Sequence, residues 1–193
     1  MPKISSYTTA TPSLTDRLIG TDANDSSATK NFTVGDVLSL TQVLVLDSFN
    51  SLAQLASAPY EPTQIIFGPI FSNDSISLDA GGAITFLESG RYIIETGFTG
   101  GQVSASPSSS SFNMYYASKL NGIQVGSTIK DAVYSVSNFS KTDTVMNTFI
   151  LYVSANDVLT FYFEGASIAA GLIGTTATTF NDVPSSVIKI NKA

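Results

Sequence analysis

The dipeptide Asn121-Gly122 stands between two runs in which polar and apolar residues mix as they do in half-buried strands, 112–120 and 123–129. Asn-Gly in that setting is the strongest two-residue hairpin signal a sequence carries. It belongs to a series. Beyond residue 62 the chain breaks into short apolar or alternating runs, each closed by turn residues. The run 64–71 ends at Asn73-Asp74, and the runs 83–87 and 92–98 flank Glu88-Ser89-Gly90-Arg91, which reads as a second hairpin. A loop rich in Gly, Ser and Pro covers 100–111. Val145, Asn147, Phe149, Leu151 and Val153 alternate, and the segment 154–157 turns that run into 158–163, which is apolar on both faces and so expected to be buried on both. A final strand is expected at 187–190. About eight short strands punctuated in this way imply an all-β, antiparallel sandwich or jelly roll over 62–193.

The preceding 61 residues read differently. Residues 1–33 are rich in Ser, Thr, Asp and Asn, with scattered apolar anchors at Ile4, Tyr7, Leu14, Leu18 and Ile19. Such a segment buries too little apolar surface to fold alone, and it is expected to be an extended arm. From Val34 the pattern changes. Thr33 suits a helix N-cap, and Leu38, Val45 and Leu52 recur every seven residues. A short helical neck over 34–61 is the expectation, with a strand over 42–46 as the alternative reading of Gln-Val-Leu-Val-Leu. Pro59 and Pro62 close the segment as a linker.

Composition narrows the chemistry. The chain has no Cys, no His and no Trp. Disulfides, thiolate metal sites and a Ser-His-Asp or Cys-His catalytic arrangement are therefore out of reach, and no enzymatic role and no cofactor are expected. A net charge of −6 with only nine Lys and Arg gives no electrostatic footprint for nucleic acid. No run approaches the roughly 20 apolar residues of a bilayer-spanning helix, so no membrane insertion is expected. Without an apolar leader at the start, synthesis in a cytoplasm is the expectation. Asp22, Asn24 and Ser26 open like a calcium loop, but Ser27 stands where the loop needs Gly, and Thr33 where it needs Glu. Asp131, Asp143 and Asp157 are loop carboxylates that no spacing selects as a metal set, and Glu88 and Glu95, on neighbouring predicted strands, read as solvent-facing rather than as a catalytic pair.

The order of these turns carries a resemblance. Ser89-Gly90-Arg91-Tyr92, the Leu120-Asn121-Gly122 hairpin, Val153-Ser-Ala-Asn-Asp157-Val158, a long apolar strand and a short last strand follow one another. Over about residues 64–193 this resembles the jelly roll of the tumour-necrosis-factor and complement-globular-head superfamily. The resemblance implies a homotrimer whose axis is lined by aromatic and aliphatic residues, here Phe161, Tyr162 and Phe163, against the alternative that these fill the sandwich core. An alternating strand buries one face, so Tyr162 at least needs another partner. Leu38, Val45 and Leu52 would add to the trimer contact through the neck.

The N-terminal segment resembles a second group. Leu18-Ile-Gly-Thr-Asp22 followed by Thr29-Lys-Asn-Phe-Thr-Val-Gly-Asp36 is similar to the opening of bacteriophage fibre and virion-appendage proteins. In those, the region attaches the subunit to the particle. Together the resemblances imply a viral structural protein, a head fibre or capsid-decoration subunit located on the virion after assembly in the host cytoplasm. Its arm would dock on capsid or other virion proteins through Ile4, Leu18, Ile19 and Phe32. The alternative is a tail-fibre tip or receptor-binding protein that recognises host cell-surface glycan. Tyr115, Tyr116 and Tyr134 are the candidate ligand contacts, because an exposed phenol offers an apolar face and a polar tip.

Overall fold

The computed structural model of the protein describes residues 15–22, 28–33, 43–72, 75–102, 110–136, 139–140, 143–168, 170–174 and 183–193. The chain divides into two compact units, with the boundary after Gln42. In the first, β1 (Arg17–Asp22) and β2 (Ala28–Thr33) form a two-stranded antiparallel ribbon, with Leu18 opposite Phe32 and Ile19 opposite Asn31. Within the arm, therefore, there is a hairpin. Leu18 and Ile19 are both exposed on it.

The second unit, Val43–Lys192, is all β among the described residues. Its strands are β3 (Val43–Asn50), β4 (Gln54–Leu55), β5 (Thr63–Gln64), β6 (Ile70–Ser72), β7 (Ile76–Leu78), β8 (Ile84–Phe86) and β9 (Gly90–Gln102). Then come β10 (Ser110–Leu120), β11 (Ile123–Val136), β12 (Phe139–Ser140), β13 (Asp143–Val153), β14 (Val158–Gly165), β15 (Ala170–Leu172) and β16 (Ser186–Lys192). They make two seven-stranded sheets. Sheet 1 runs β12-β11-β10-β14-β8-β7, with β5 also on β14; sheet 2 runs β4-β15-β9-β16-β3-β6, with β13 on β9. Every pairing is antiparallel. Consecutive long strands repeatedly cross between the sheets, as in a jelly roll.

The expected Asn-Gly hairpin is present. Leu120 pairs with Ile123, and the turn residues Asn121 and Gly122 have φ of 51° and 80°. That is the left-handed pair whose twist matches the flanking strands. The expected hairpin at 88–91 is not. β8 lies in sheet 1 against β7 and β14, whereas β9 lies in sheet 2 between β13 and β16. Turn residues announce a reversal, but both sheets offer the same alternating surface, so the local signal cannot choose between them. The crossover is pinned by packing: Phe86 and Tyr92 have ring centroids 4.7 Å apart, and the Tyr92 hydroxyl donates to the Glu88 carbonyl at 3.0 Å. The expected loop at 100–111 is strand at its start, since Gly100 and Gly101 pair with β15; residues 103–109 lie outside the described residues.

The helical neck is corrected over 43–50. This segment is β3, paired along its length with β16 and at its centre with β6. Its ladder bonds lie within the sandwich, so its backbone donors and acceptors have no need of a helix. A bulge opposite Ile190 and Asn191 lets Val45 and Leu46 both face inward, which breaks the simple alternation. The heptad stripe is likewise no common face. Val45 is 1% exposed in the core, Leu52 is 74% exposed, and Leu38 lies outside the described residues. The sandwich therefore begins at Val43, not at residue 62.

Between the sheets sits an aromatic core. Phe161 meets Phe67 edge-on at 5.8 Å, and Phe98 and Phe149 lie 6.0 and 6.4 Å from it. Tyr116 stacks on Phe98 at 5.4 Å. β14 supplies Leu159, Phe161 and Phe163 to this core and turns Thr160, Tyr162 and Glu164 outward. It is thus buried on one face, not on both.

Candidate functional site

Two surfaces stand out, one on each sheet, and both follow from what the strands send outward. On sheet 2 the outward residues fall in rows set by the register. Phe49, Val187, Gly97 and Met146 lie across one row; Asp47, Lys189, Glu95 and Thr148 across the next; Leu44, Asn191, Ile93 and Ile150 across a third. Tyr152 and Arg91 follow at one end. Met146 is 68% exposed, Tyr152 73% and Phe49 52%, with Leu44 and Ile150 nearly as open. Gly97 has a specific use here. A Cβ at that position would come within 2.7 Å of Met146 Sδ and 2.8 Å of Val187 Cγ2, so the absence of one lets these side chains close over β9. The result is an apolar sheet face crossed by one row of alternating charge. Solvated antiparallel faces are ordinarily polar.

On sheet 1 the outer face is concave. Ala117 on β10 is its small floor, with Tyr115 and Lys119 two residues to either side on the same face and Tyr162 opposite it on β14. Across from Ala117 the other neighbour gives way. Tyr116 pairs with Ile129 and Ser118 with Val125, so the three residues 126–128 of β11 face the single Ala117. Gly126, with φ of 71°, takes the left-handed conformation that this bulge requires. The arched strand leaves a cavity of about 270 Å³, rimmed by Tyr115, Tyr162, Lys119, Gln124 and Thr128, with Glu164 and Pro62 at its edge. The rim is held by its own bonds. The Tyr162 hydroxyl donates to Gln64 Oε1 at 3.3 Å, Gln124 Nε2 donates to Thr128 Oγ1 at 3.0 Å, and Lys119 Nζ sits 4.6 Å from the centre of the Tyr162 ring.

The structure separates the residues singled out from sequence. Phe161 and Phe163 are buried within one chain, as is Val45, so none has surface to offer a second chain; this corrects their assignment to a trimer contact. Tyr162 does face outward, as alternation demanded, but on sheet 1. Of the candidate ligand contacts, Tyr115 lines the cavity, whereas Tyr116 is in the core. Burial, with Asp131 and Asp143 nearby, pushes the Tyr116 phenol above its ordinary range. The side chains of Tyr134 and Phe32, and all of Ile4, lie outside the described residues. Glu88 and Glu95 are not neighbours across a hairpin: Glu88 bonds to Lys192, and Glu95 stands opposite Lys189 and Thr148. Asp157 is engaged within its turn, accepting from Asn121 Nδ2 and the Ser154 amide, each at 2.8 Å.

Sequence reasoning missed both surfaces as surfaces. Met146, Ile150 and Tyr152 were legible as the second face of an alternating strand. The small Ala117 between Tyr115 and Lys119 was legible as a gap. Neither signal says which face a second sheet will cover.

No protein-family model matches the sequence, and no curated protein matches it. Among solved structures, the crystal structure of murine APRIL at pH 8.0 is similar, with a TM-score of 0.45 at 10% identity over 78% of this chain and 98% of that chain.

Proposed function

We propose that the protein is a bacteriophage virion structural protein, a head-fibre or capsid-decoration subunit that works by assembly as a homotrimer. The observation that carries the assembly reading is the apolar outer face of sheet 2. Four strands at ~4.8 Å spacing and about eight residues at ~3.4 Å give it roughly 520 Å² in plan, about two-thirds of the ~800 Å² per partner of a specific interface. Its occupant is another copy of the chain. The row Asp47, Lys189, Glu95 alternates in charge, so a second copy can set its lysine against either carboxylate. Phe49, Met146, Ile150 and Tyr152 supply the desolvated area. The arm supports the attachment half of the reading: its ribbon keeps Leu18 and Ile19 in the open, where a groove on a virion protein can cover them. An isolated two-stranded ribbon is marginal in water, and docking would add the missing burial. Three arms on one particle then bind by avidity.

Light scattering tests the interface. The full chain is expected at three times its 20.3 kDa, Ile150→Lys at one, and a chain lacking residues 2–33 still at three but no longer bound to particles. A monomeric full chain sinks the assembly reading, and a truncated chain that still decorates particles sinks the anchoring one. A second reading, a fibre tip that recognises host cell-surface glycan, is favoured by the tyrosine-rimmed cavity of sheet 1.

A further inference from the structure

We infer that the cavity on the outer face of sheet 1 is a binding site for one neutral pyranose ring of a glycan, seated on Ala117 and stacked against Tyr115. The inference rests on the recognition reading and names its site and ligand class. Four features carry it.

The first is construction. The cavity is not a gap between loops. It is cut into a regular sheet, where the bulge at 126–128 arches β11 away from the smallest residue of its row. Bulges of this kind re-aim side chains next to functional sites. The second is size. At about 270 Å³ it sits just below the ~300 Å³ at which pockets for drug-sized ligands begin, which is room for one ring and its substituents but not for a chain of them.

The third is the chemistry of the rim. A pyranose presents axial C–H bonds on one face and hydroxyls around its edge. Tyr115 offers the apolar face, and Gln124 and Thr128 offer an amide and a hydroxyl that can each donate and accept. The two tyrosines are not equivalent. Lys119 already covers a face of Tyr162, and the Tyr162 hydroxyl is held by Gln64, so Tyr162 is a fixed wall and Tyr115 the platform. The fourth is charge. The charged side chains lining the cavity are Lys119 and Glu164, of opposite sign. Lys119 is committed to the Tyr162 ring, and Glu164 would repel a carboxylate. The balance selects a neutral sugar over a sialic or uronic acid.

The site is on the sheet opposite the proposed trimer face, so assembly leaves it open, and three copies would multiply a weak single-site affinity.

The test uses the full chain on an array of neutral hexose and N-acetylhexosamine oligosaccharides, with sialylated and uronic-acid glycans as the acidic arm. Bound glycans are then titrated by calorimetry against the wild type, Tyr115→Ala and Ala117→Leu. Binding to neutral glycans is expected, weakened roughly tenfold by loss of the stacking ring and abolished when Leu fills the floor. Circular dichroism of both variants should match the wild type, since both positions face outward. Binding confined to acidic glycans overturns the inference. Neutral binding that both variants retain overturns the site while leaving glycan recognition standing; no binding to any glycan overturns both.

Discussion

Replacing Phe161 by Ala separates a core residue from one on a symmetry axis. Its ring is 2% exposed within a single chain and touches Phe67, Phe98 and Phe149 at centroid distances of 5.8, 6.0 and 6.4 Å. Deleting a ring so enclosed forfeits its transfer energy and leaves a cavity that the facing strands cannot close, a loss of about 3–5 kcal/mol. For a unit of this size each kcal/mol lowers the melting temperature by about 2–4 °C, so a fall of roughly 6–20 °C is expected. The decisive comparison is made in the Ile150→Lys background, where association is expected to be lost. Urea unfolding of Ile150→Lys with and without Phe161→Ala should show the same cost, independent of protein concentration. If Phe161 instead packs against other chains, its removal costs little once those chains are gone. A cost below about 1 kcal/mol in the dissociated protein would refute the placement in the core, because an exposed phenyl is all that such a value leaves room for.

Acid should weaken the fold and neutral pH should not modulate it. The Lys192 ammonium holds Glu88 below the usual carboxylate range, and the Asn121 amide does the same for Asp157. Groups lowered on folding stabilise above the unfolded value of ~4 and lose that contribution as pH falls through the folded one. Lys192 is raised by the same pair, so its share persists below ~10.4 and is lost as pH rises beyond it. With no His or Cys to titrate near neutrality, thermal melts should be flat from about pH 5 to 8, and Asp157→Asn should flatten the acid limb; a step near pH 6.5 would contradict this. Two glycine substitutions should differ in kind. At Gly68 an Ala Cβ would stand 2.1 Å from the Phe49 carbonyl oxygen, against backbone that cannot yield, and a loss of about 3 kcal/mol or more is expected. At Gly126 nothing lies within 4 Å, so only the left-handed φ is strained, for about 1–2 kcal/mol. Equal losses in chemical unfolding would mean that the close approach of residue 68 to β3 is misplaced.

The sequence by itself determined what local chemistry determines. Asn121-Gly122 dictated its turn because only such a pair accepts two left-handed residues in succession. The alternation of 145–153 dictated which of its side chains share a face, whereas 158–163, read as apolar on both faces, buried only one of them. The absence of His and Cys bounded the chemistry before any coordinates. The tertiary structure decided which sheet each strand joined and which of its two faces was covered. That is why 88–91 became a crossover instead of a hairpin, and why 43–50, expected within a helical neck with a strand over 42–46 only as the alternative, became β3 once β16 offered its unpaired edge. Phe161 and Phe163 could serve a core or an axis with the same pattern; Phe67, Phe98 and Phe149, brought from three other segments, settled them in the core. The cavity belongs to the same class. Ala117 and Gly126 are nine residues apart and unremarkable alone, and they form a site only because the register places the bulge of one strand across from the smallest side chain of the next.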